Sequence, residues 1–470
     1  MSCATITGKK KYPPREEKKM KQKILLFALI GVLILSLNAC GGSPISTPTS
    51  QLPVVSTPTA LPKSVVISST NAFIDSYGTY HVVGEVFNNS NAVVSSIELT
   101  IEIKDASGNS LIKDDSGNIT ANAKASPLLY TLAPGEGSPF EYSYETTEGT
   151  PESFNVAISG QQTGTAKRAT LNTENVQLVD DGQGWYYLTG ELVNTGSQWA
   201  HINSLAGAVL NDSNQILSAD WTASYATEVA PAGDASGRDR TPFQINFPNP
   251  GGATKWHVYM DADVTDSVID YPLGVSVSNT YFDQYGSFHV VGWLANNSDK
   301  LLDSLVVAGI YGADKTVLDS SYSFIPIPIK PGASAAFSVS SFSSINYNPN
   351  QASLVSTTSI QADPWFTSPP TNDSVDLAAT GETISKTDST WTFDGSVINT
   401  SDKNLSGATV VVMIMDAQNK LIAMEYTSIS PTGDAIAQGD TNPYSVSVYL
   451  DPAANSSSFT TSTVVIGDVK

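Results

Sequence analysis

The chain has 470 residues with 24 Lys+Arg against 45 Asp+Glu, a formal charge of −21, and only two cysteines. Such a length suits several domains of ~100–200 residues each. The acidic balance excludes a nucleic-acid binder, whose phosphate contacts need clustered Lys and Arg, and two cysteines exclude a disulfide-dense scaffold or a four-cysteine zinc site.

The first element in chain order is apolar. Residues 24–37, ILLFALIGVLILSL, carry no charge and follow Lys21 and Lys23. Fourteen residues are short for a span of ~20 but suit the apolar core of a signal peptide. Leu37, Asn38 and Ala39 then lead into Cys40 and two glycines. This resembles the lipobox of bacterial lipoproteins. The resemblance implies that the Cys40 thiol is diacylglycerylated, that cleavage falls just before it, and that residues 1–39 are removed as a signal peptide. Residues 1–19 make an unusually long preface, and Met20 opens a leader of ordinary length, so Met20 is the expected start. Removal of 1–39 takes away eight Lys/Arg and two Glu and moves the formal charge from −21 to −27. The implied location is extracytoplasmic, with the N-terminal lipid as the attachment to a membrane, inner or outer.

Residues 40–63 follow as a tether. Five prolines spaced by Ser, Thr and Gly in 41–63 cannot bury a core and favour extended conformers, reaching roughly 70 Å at ~3 Å per residue.

The remainder repeats. GEVFNNS (84–90), GELVNTG (190–196), GWLANNS (292–298) and GSVINTS (395–401) share G-x-[VL]-x-N-[NT]-[SG], with an aromatic four residues before each glycine: Tyr80, Tyr186, Phe288 and Trp391. Repeats one and three are most alike, matching at eleven of twenty positions over 71–90 and 279–298. In each repeat an alternating strand, an Asn-centred turn and a second alternating strand are followed by a hairpin signal, a proline-containing segment and a closing strand. In repeat one Ile97, Leu99, Ile101 and Ile103 form the inward set of the second strand. No apolar stripe at helical spacing appears after residue 64. The expected fold is all-β: four tandem antiparallel β-sandwiches of immunoglobulin or fibronectin type over 64–165, 166–267, 268–370 and 371–470. Without cysteines in this region, each sandwich must stand on packing alone.

The glycine–asparagine motif, the aliphatic strand ending in Asp and the later Pro-Gly resemble the FxLYD-type domains of bacterial surface lipoproteins. Ile101-Glu-Ile-Lys-Asp105 and Met413-Ile-Met-Asp416 keep the Asp of that motif without its Phe or Tyr. The resemblance implies an Ig-like fold outside the cytoplasm and no catalytic residues.

No nucleophile elbow, H-E-x-x-H, P-loop or dinucleotide fingerprint occurs, so no enzyme activity is expected. The four histidines stand apart in sequence and read as solvent-face strand residues. Asp261, Asp263 and Asp266, at the junction of repeats two and three, are oxygen ligands of the type that holds structural calcium; a solvated acidic linker is the alternative. Trp293 replaces Glu85 and Glu191 of its sister repeats, so its phase points away from its own core, beside His289. An outward Trp there could stack a sugar or a partner side chain, or be covered by a neighbouring loop or domain. Asn88 and Asn399, in N-x-S sequons, read as turn residues. Three roles remain: a non-catalytic surface protein for adhesion or protein–protein contact, a glycan- or solute-binding lipoprotein, and an accessory subunit of an envelope transport or assembly complex.

Overall fold

The computed structural model describes residues 64–470 apart from 115, 146–148, 342–353, 453 and 455–457. The leader, Cys40 with Leu37, Asn38 and Ala39, and the tether all lie outside the described residues. The described residues all fall within one compact unit, Leu61–Lys470.

The protein is an all-β, sandwich-type structure in which every strand pair among the described residues is antiparallel. Repeat one holds β1 (Val65–Ile74), β2 (Thr79–Asn88), β3 (Val94–Lys104), the short β4 (Ala123–Ala125) and β5 (Thr131–Leu132), β6 (Gly137–Glu145) and β7 (Ser153–Thr163). They make a sheet β1-β2-β6 and a second sheet in which β3 pairs with β4, β5 and β7. Repeat two holds β8 (Leu171–Asp180), β9 (Trp185–Asn194), β10 (Trp199–Leu210), β11 (Ile216–Thr222), β12 (Glu228–Val229), β13 (Arg240–Pro248) and β14 (Lys255–Thr265). Its sheets are β8-β9-β13, and β10 paired with β11, β12 and β14. Repeat three, β15 (Leu273–Phe282), β16 (Phe288–Asn296), β17 (Leu305–Gly312), β18 (Val317–Phe324), β19 (Ser334–Ser340) and β20 (Val355–Ala362), gives β15-β16-β19 and β18-β17-β20. Repeat four has β21 (Ser374–Lys386), β22 (Thr390–Ile398), β23 (Leu405–Met415), β24 (Leu421–Ile429), β25 (Thr441–Tyr449) and β26 (Thr460–Val469). There the long β21 pairs first with β26 and then with β22, joining the two sheets.

The repeat motif explains itself in this arrangement. Each signature glycine is paired across the sheet with an aromatic residue: Gly84 with Phe140, Gly190 with Phe243, Gly292 with Phe337 and Gly395 with Tyr444. The ring packs against the glycine. A Cβ at Gly292 would come within 2.1 Å of the Ser276 carbonyl oxygen on the neighbouring strand and 2.6 Å of the Phe337 ring, and one at Gly190 within 2.8 Å of Phe243. Atoms cannot approach so closely, so glycine is required by packing rather than by its backbone angles.

The motif asparagines Asn88, Asn194, Asn296 and Asn399 are all 0–1% exposed. Asn296 donates from Nδ2 to the carbonyls of Lys300 and Ile329 at 2.7 and 2.8 Å, while its Oδ1 accepts from the Ser298 N–H at 2.9 Å. Asn88 does the same with Ala92, Leu132 and Ser90, and Asn399 with Lys403, Ile436 and Ser401. Each side chain thus shapes its turn, as expected, and also fastens the turn to the proline-containing segment of the other sheet.

Alternation along the strands sorts core from outer face. In β3, Ile97, Leu99, Ile101 and Ile103 are 0–4% exposed, while Glu98, Thr100 and Glu102 face away and stay half-buried. The outer faces between repeats are different. Ala206 and Ala208 of β10 and Tyr259 of β14 are buried in one apolar cluster with repeat one. Leu305 and Val307 of β17 pack with Ala226 of repeat two, and Tyr281, Val291 and Ala336 of repeat three join the core of repeat four. Beyond the last junction the outer residues of β22, Thr392, Asp394 and Ser396, are polar and at least partly exposed. Apolar outer faces thus occur where repeats meet, and polar ones at the two ends of the stack.

Candidate interaction sites

The three junctions are built alike. Strands β11, β18 and β24 each pack on the first sheet of the preceding repeat. At the first, Tyr259 Oη donates to Glu85 Oε1 at 2.9 Å; at the second, Tyr311 Oη donates to Glu191 Oε1 at 3.1 Å. Both glutamates directly follow the signature glycine. Carboxamides add cross-links: Gln177 donates to the Val317 carbonyl at 2.7 Å, and Asn279 to the Ile422 carbonyl at 3.0 Å.

Trp293 occupies the same position at the third junction. It does point away from its own core, as its phase requires, but it is packed against the core cluster of repeat four. The neighbouring repeat covers it, and the reading of Trp293 and His289 as a ligand platform is corrected accordingly. His289 is 7% exposed, stacked on Tyr281 at 4.8 Å, with Nε2 3.1 Å from Asp283 Oδ2 and Nδ1 3.0 Å from Ser340 Oγ. Burial lowers its pKa and outweighs the pull of Asp283. The neutral ring donates from Nε2 to the carboxylate and accepts the Ser340 hydroxyl at Nδ1.

His81, its counterpart in repeat one, is equally buried. It lies 2.8 Å from Glu141 Oε1 and 3.2 Å from Asp75 Oδ2. Burial pulls its pKa down, yet the two carboxylates outweigh that and hold it above the ordinary histidine value. The expectation of solvent-face histidines therefore fails for both His81 and His289: the next repeat closes over that face.

The acidic cluster is organised by a residue that sequence reading passed over. Arg168, in the segment between β7 and β8, reaches Asp261 Oδ1 at 2.5 Å, Glu136 Oε2 at 2.7 Å and the Thr131 carbonyl at 3.0 Å. Asp261 is fully buried, and its other oxygen accepts the Thr131 N–H and hydroxyl, both at 2.9 Å. Asp263 accepts the Lys167 N–H at 2.9 Å. Asp266 lies past the end of β14. Among the described residues no three His, Cys, Asp or Glu side chains converge to hold a metal. The expectation of calcium at Asp261, Asp263 and Asp266 is thus corrected: a guanidinium stands where the cation would, and it ties repeat one to repeat two. The only signal in the sequence was a Lys-Arg pair in a strongly acidic chain.

Partly or fully buried carboxyls also mark the junctions. Burial pushes Asp220 of β11 up to about 7, opposed by the Trp221 N–H and by His81 and reinforced by Glu141. Asp363, fully buried, is pushed up to about 6 although the N–H groups of Thr227 and Trp365 donate to it. Burial raises Glu425 of β24 to about 7.

A cleft of about 420 Å³ lies along Arg238, Asp270, Tyr271, Ile360 and Gln361. Its cation is already engaged, because Arg238 holds both Asp270 oxygens at 2.6 and 2.9 Å. Two exposed tyrosines stand out more clearly: Tyr77 and Tyr285, at 68% and 69% exposure, on equivalent turns of repeats one and three.

No protein-family model matches the chain, and no curated protein matches it. Among solved structures it is similar to red sea bream transglutaminase, at 11% identity and a TM-score of 0.14, over 39% of this chain and 28% of that one. It is also similar to the exo-chitosanase CsxA of Amycolatopsis orientalis, at 12% identity and a TM-score of 0.15, over 64% of this chain and 26% of that one. A biofilm-associated protein BSP domain aligns over 91% of this chain and 97% of its own, at 9% identity and a TM-score of 0.12. The chain spans about a quarter of the length of the two enzymes. Among the described residues no helix is long and apolar enough to cross a membrane.

Proposed function

We propose that this chain is a lipid-anchored, extracytoplasmic surface protein of a bacterium that presents a string of Ig-like sandwiches for adhesion or protein–protein interaction, without catalysis. The observation that carries this reading is the sorting of outer faces: apolar and cross-linked at all three junctions, polar at the two ends of the stack. Repeats stacked in this way make a stiff display element, which a tether at 41–63 and a lipid on Cys40 would hold at the cell surface.

The test is fractionation with surface proteolysis of intact cells. The wild-type chain is expected in the membrane fraction and open to added protease, and a Cys40→Ser variant in the medium or left unprocessed. A Cys40→Ser chain that is still processed and firmly membrane-bound would overturn the lipid anchor. A wild-type chain that stays protected in intact cells after outer-membrane permeabilisation would overturn the extracytoplasmic placement.

A further inference from the structure

Repeats one and three share D-x-Y-G-[ST]-[YF]-H, at 75–81 and 283–289. In both, one oxygen of the Asp accepts the N–H groups two and four residues on: Tyr77 and Thr79 at 2.9 Å, Tyr285 and Ser287 at 2.8 and 2.9 Å. The other oxygen meets the buried His, and that His is stacked on a ring of the preceding strand: Phe73 at 4.7 Å for His81, Tyr281 at 4.8 Å for His289. Gly78 and Gly286, at φ +89° and +83°, turn the chain where a side chain would be strained. Each turn is therefore rigid, and its tyrosine ring is the part left in solvent.

The fold does not require that tyrosine. Repeat two builds the same turn on Asp181, which accepts from Gln183 and Trp185, and Gln183 stands where the tyrosine would be. Each exposed ring also has an aromatic neighbour from the following repeat. Trp185 lies 6.2 Å from Tyr77 and its indole N–H reaches the phenol oxygen at 3.3 Å; Tyr449 lies 5.3 Å from Tyr285.

We propose that Tyr77 and Tyr285 are equivalent contact points for a neutral polysaccharide. A sugar ring offers an apolar C–H face to stack on an aromatic ring and hydroxyls to its surroundings. Ser76 and Gln284 sit beside the tyrosines in their turns, Ser389 donates to Gln284 at 2.5 Å, and the three Asp-based turns at 75–79, 181–185 and 283–287 contain no Lys or Arg. With a formal charge of −21, or −27 once residues 1–39 are removed, anionic polymers are repelled and uncharged ones are not. A polymer repeats its sugar many times and so offers many copies of that C–H face to either site, which a short oligosaccharide does not. The inference names what the proposed display surface takes, and rests on that reading for its setting.

The test is affinity electrophoresis of the full chain in mild detergent, in gels cast with starch, a β-1,3-glucan or hydroxyethyl cellulose. Retardation is expected in at least one. Tyr77→Ala and Tyr285→Ala are each expected to weaken it up to about tenfold, and the double variant to abolish it with its melting curve unchanged. The Tyr→Phe variants should keep it, and short oligosaccharides should compete less well than the polymer. Absence of retardation in all three gels, or a double variant retarded like wild type, overturns the proposal. Loss of adhesion to a protein-coated surface by a double variant that never showed glycan binding would overturn it in favour of a protein partner. Surface placement is measured separately by fractionation, so the two readings fail independently.

Discussion

Arg168 and Asp261 lie 93 residues apart in the chain and meet at 2.5 Å, the arginine fork shared with Glu136 and the aspartate fully buried. Burial works against the charge on Arg168, but Glu136 and Asp261 outweigh it and raise its pKa further. This pair fixes repeats one and two to one another together with the apolar cluster around Tyr259 and its bond to Glu85.

Removing one partner leaves the other buried and unpaired. Arg168→Met is therefore expected to cost about 3–5 kcal/mol. Adding Asp261→Asn should recover part of that loss, since no buried charge is then stranded. Chemical denaturation of the single and double variants measures the coupling, and strictly additive losses would refute it.

The signature glycine and asparagine make separable contributions. Gly190→Ala is expected to lower stability because a Cβ would meet the Phe243 ring and the Val176 side chain, both at 2.8 Å, and pairing it with Phe243→Leu should restore part of the loss. At Gly292, where the Cβ would also meet the Ser276 carbonyl oxygen at 2.1 Å, trimming Phe337 should restore little. Asn296→Ala strands two buried carbonyls and should cost about 1–3 kcal/mol. Thermal melts would show it, and a neutral Asn296→Ala would mean that those carbonyls find other partners.

Core aromatics should dominate. Trp391, 1% exposed, and Phe288, 3% exposed, should each cost about 3–5 kcal/mol on replacement by Ala. Trp293→Ala should instead loosen the third junction, seen as faster proteolysis between repeats three and four. Cys3 and Cys40 are the only cysteines, so reducing agent should leave the melting of the sandwiches unmoved.

The junctions should be firmer in mild acid. Asp220 and Glu425 are pushed up to about 7, and Asp363 to about 6. Unfolded, these groups titrate near ~4. Between pH ~4 and ~7 the folded chain holds protons that the unfolded chain has released, so stability falls as pH rises through that window. His81, raised, adds to the trend; His289, lowered, opposes it near its unfolded value of ~6.5. Asp75, held low by Thr79, His81 and Tyr77 against its burial, matters only in stronger acid. The melting temperature should be higher at pH 5 than at pH 8, and the difference should shrink in Asp220→Asn/Glu425→Gln. An unchanged difference would place the titrating groups elsewhere.

Much was written locally. Alternation in β3, the aromatic four residues before each glycine and the four-fold motif specified an all-β sandwich-type protein, because a period of two sorts side chains to two faces of a sheet whatever lies beyond it. The same local logic showed that Trp293 points away from its own core. What lies on the far side of a sheet is not encoded in its period. Tertiary structure decided that His81, His289 and Trp293 are covered by the next repeat, that Arg168 takes the place expected for a metal, and that Asn88 and Asn399 are buried fasteners. Each of these contacts joins residues distant in sequence through the stacking of one sheet on another. By contrast Tyr77 and Tyr285 were present in the twenty residues that make repeats one and three most alike; only their exposure in the folded chain distinguished them from core.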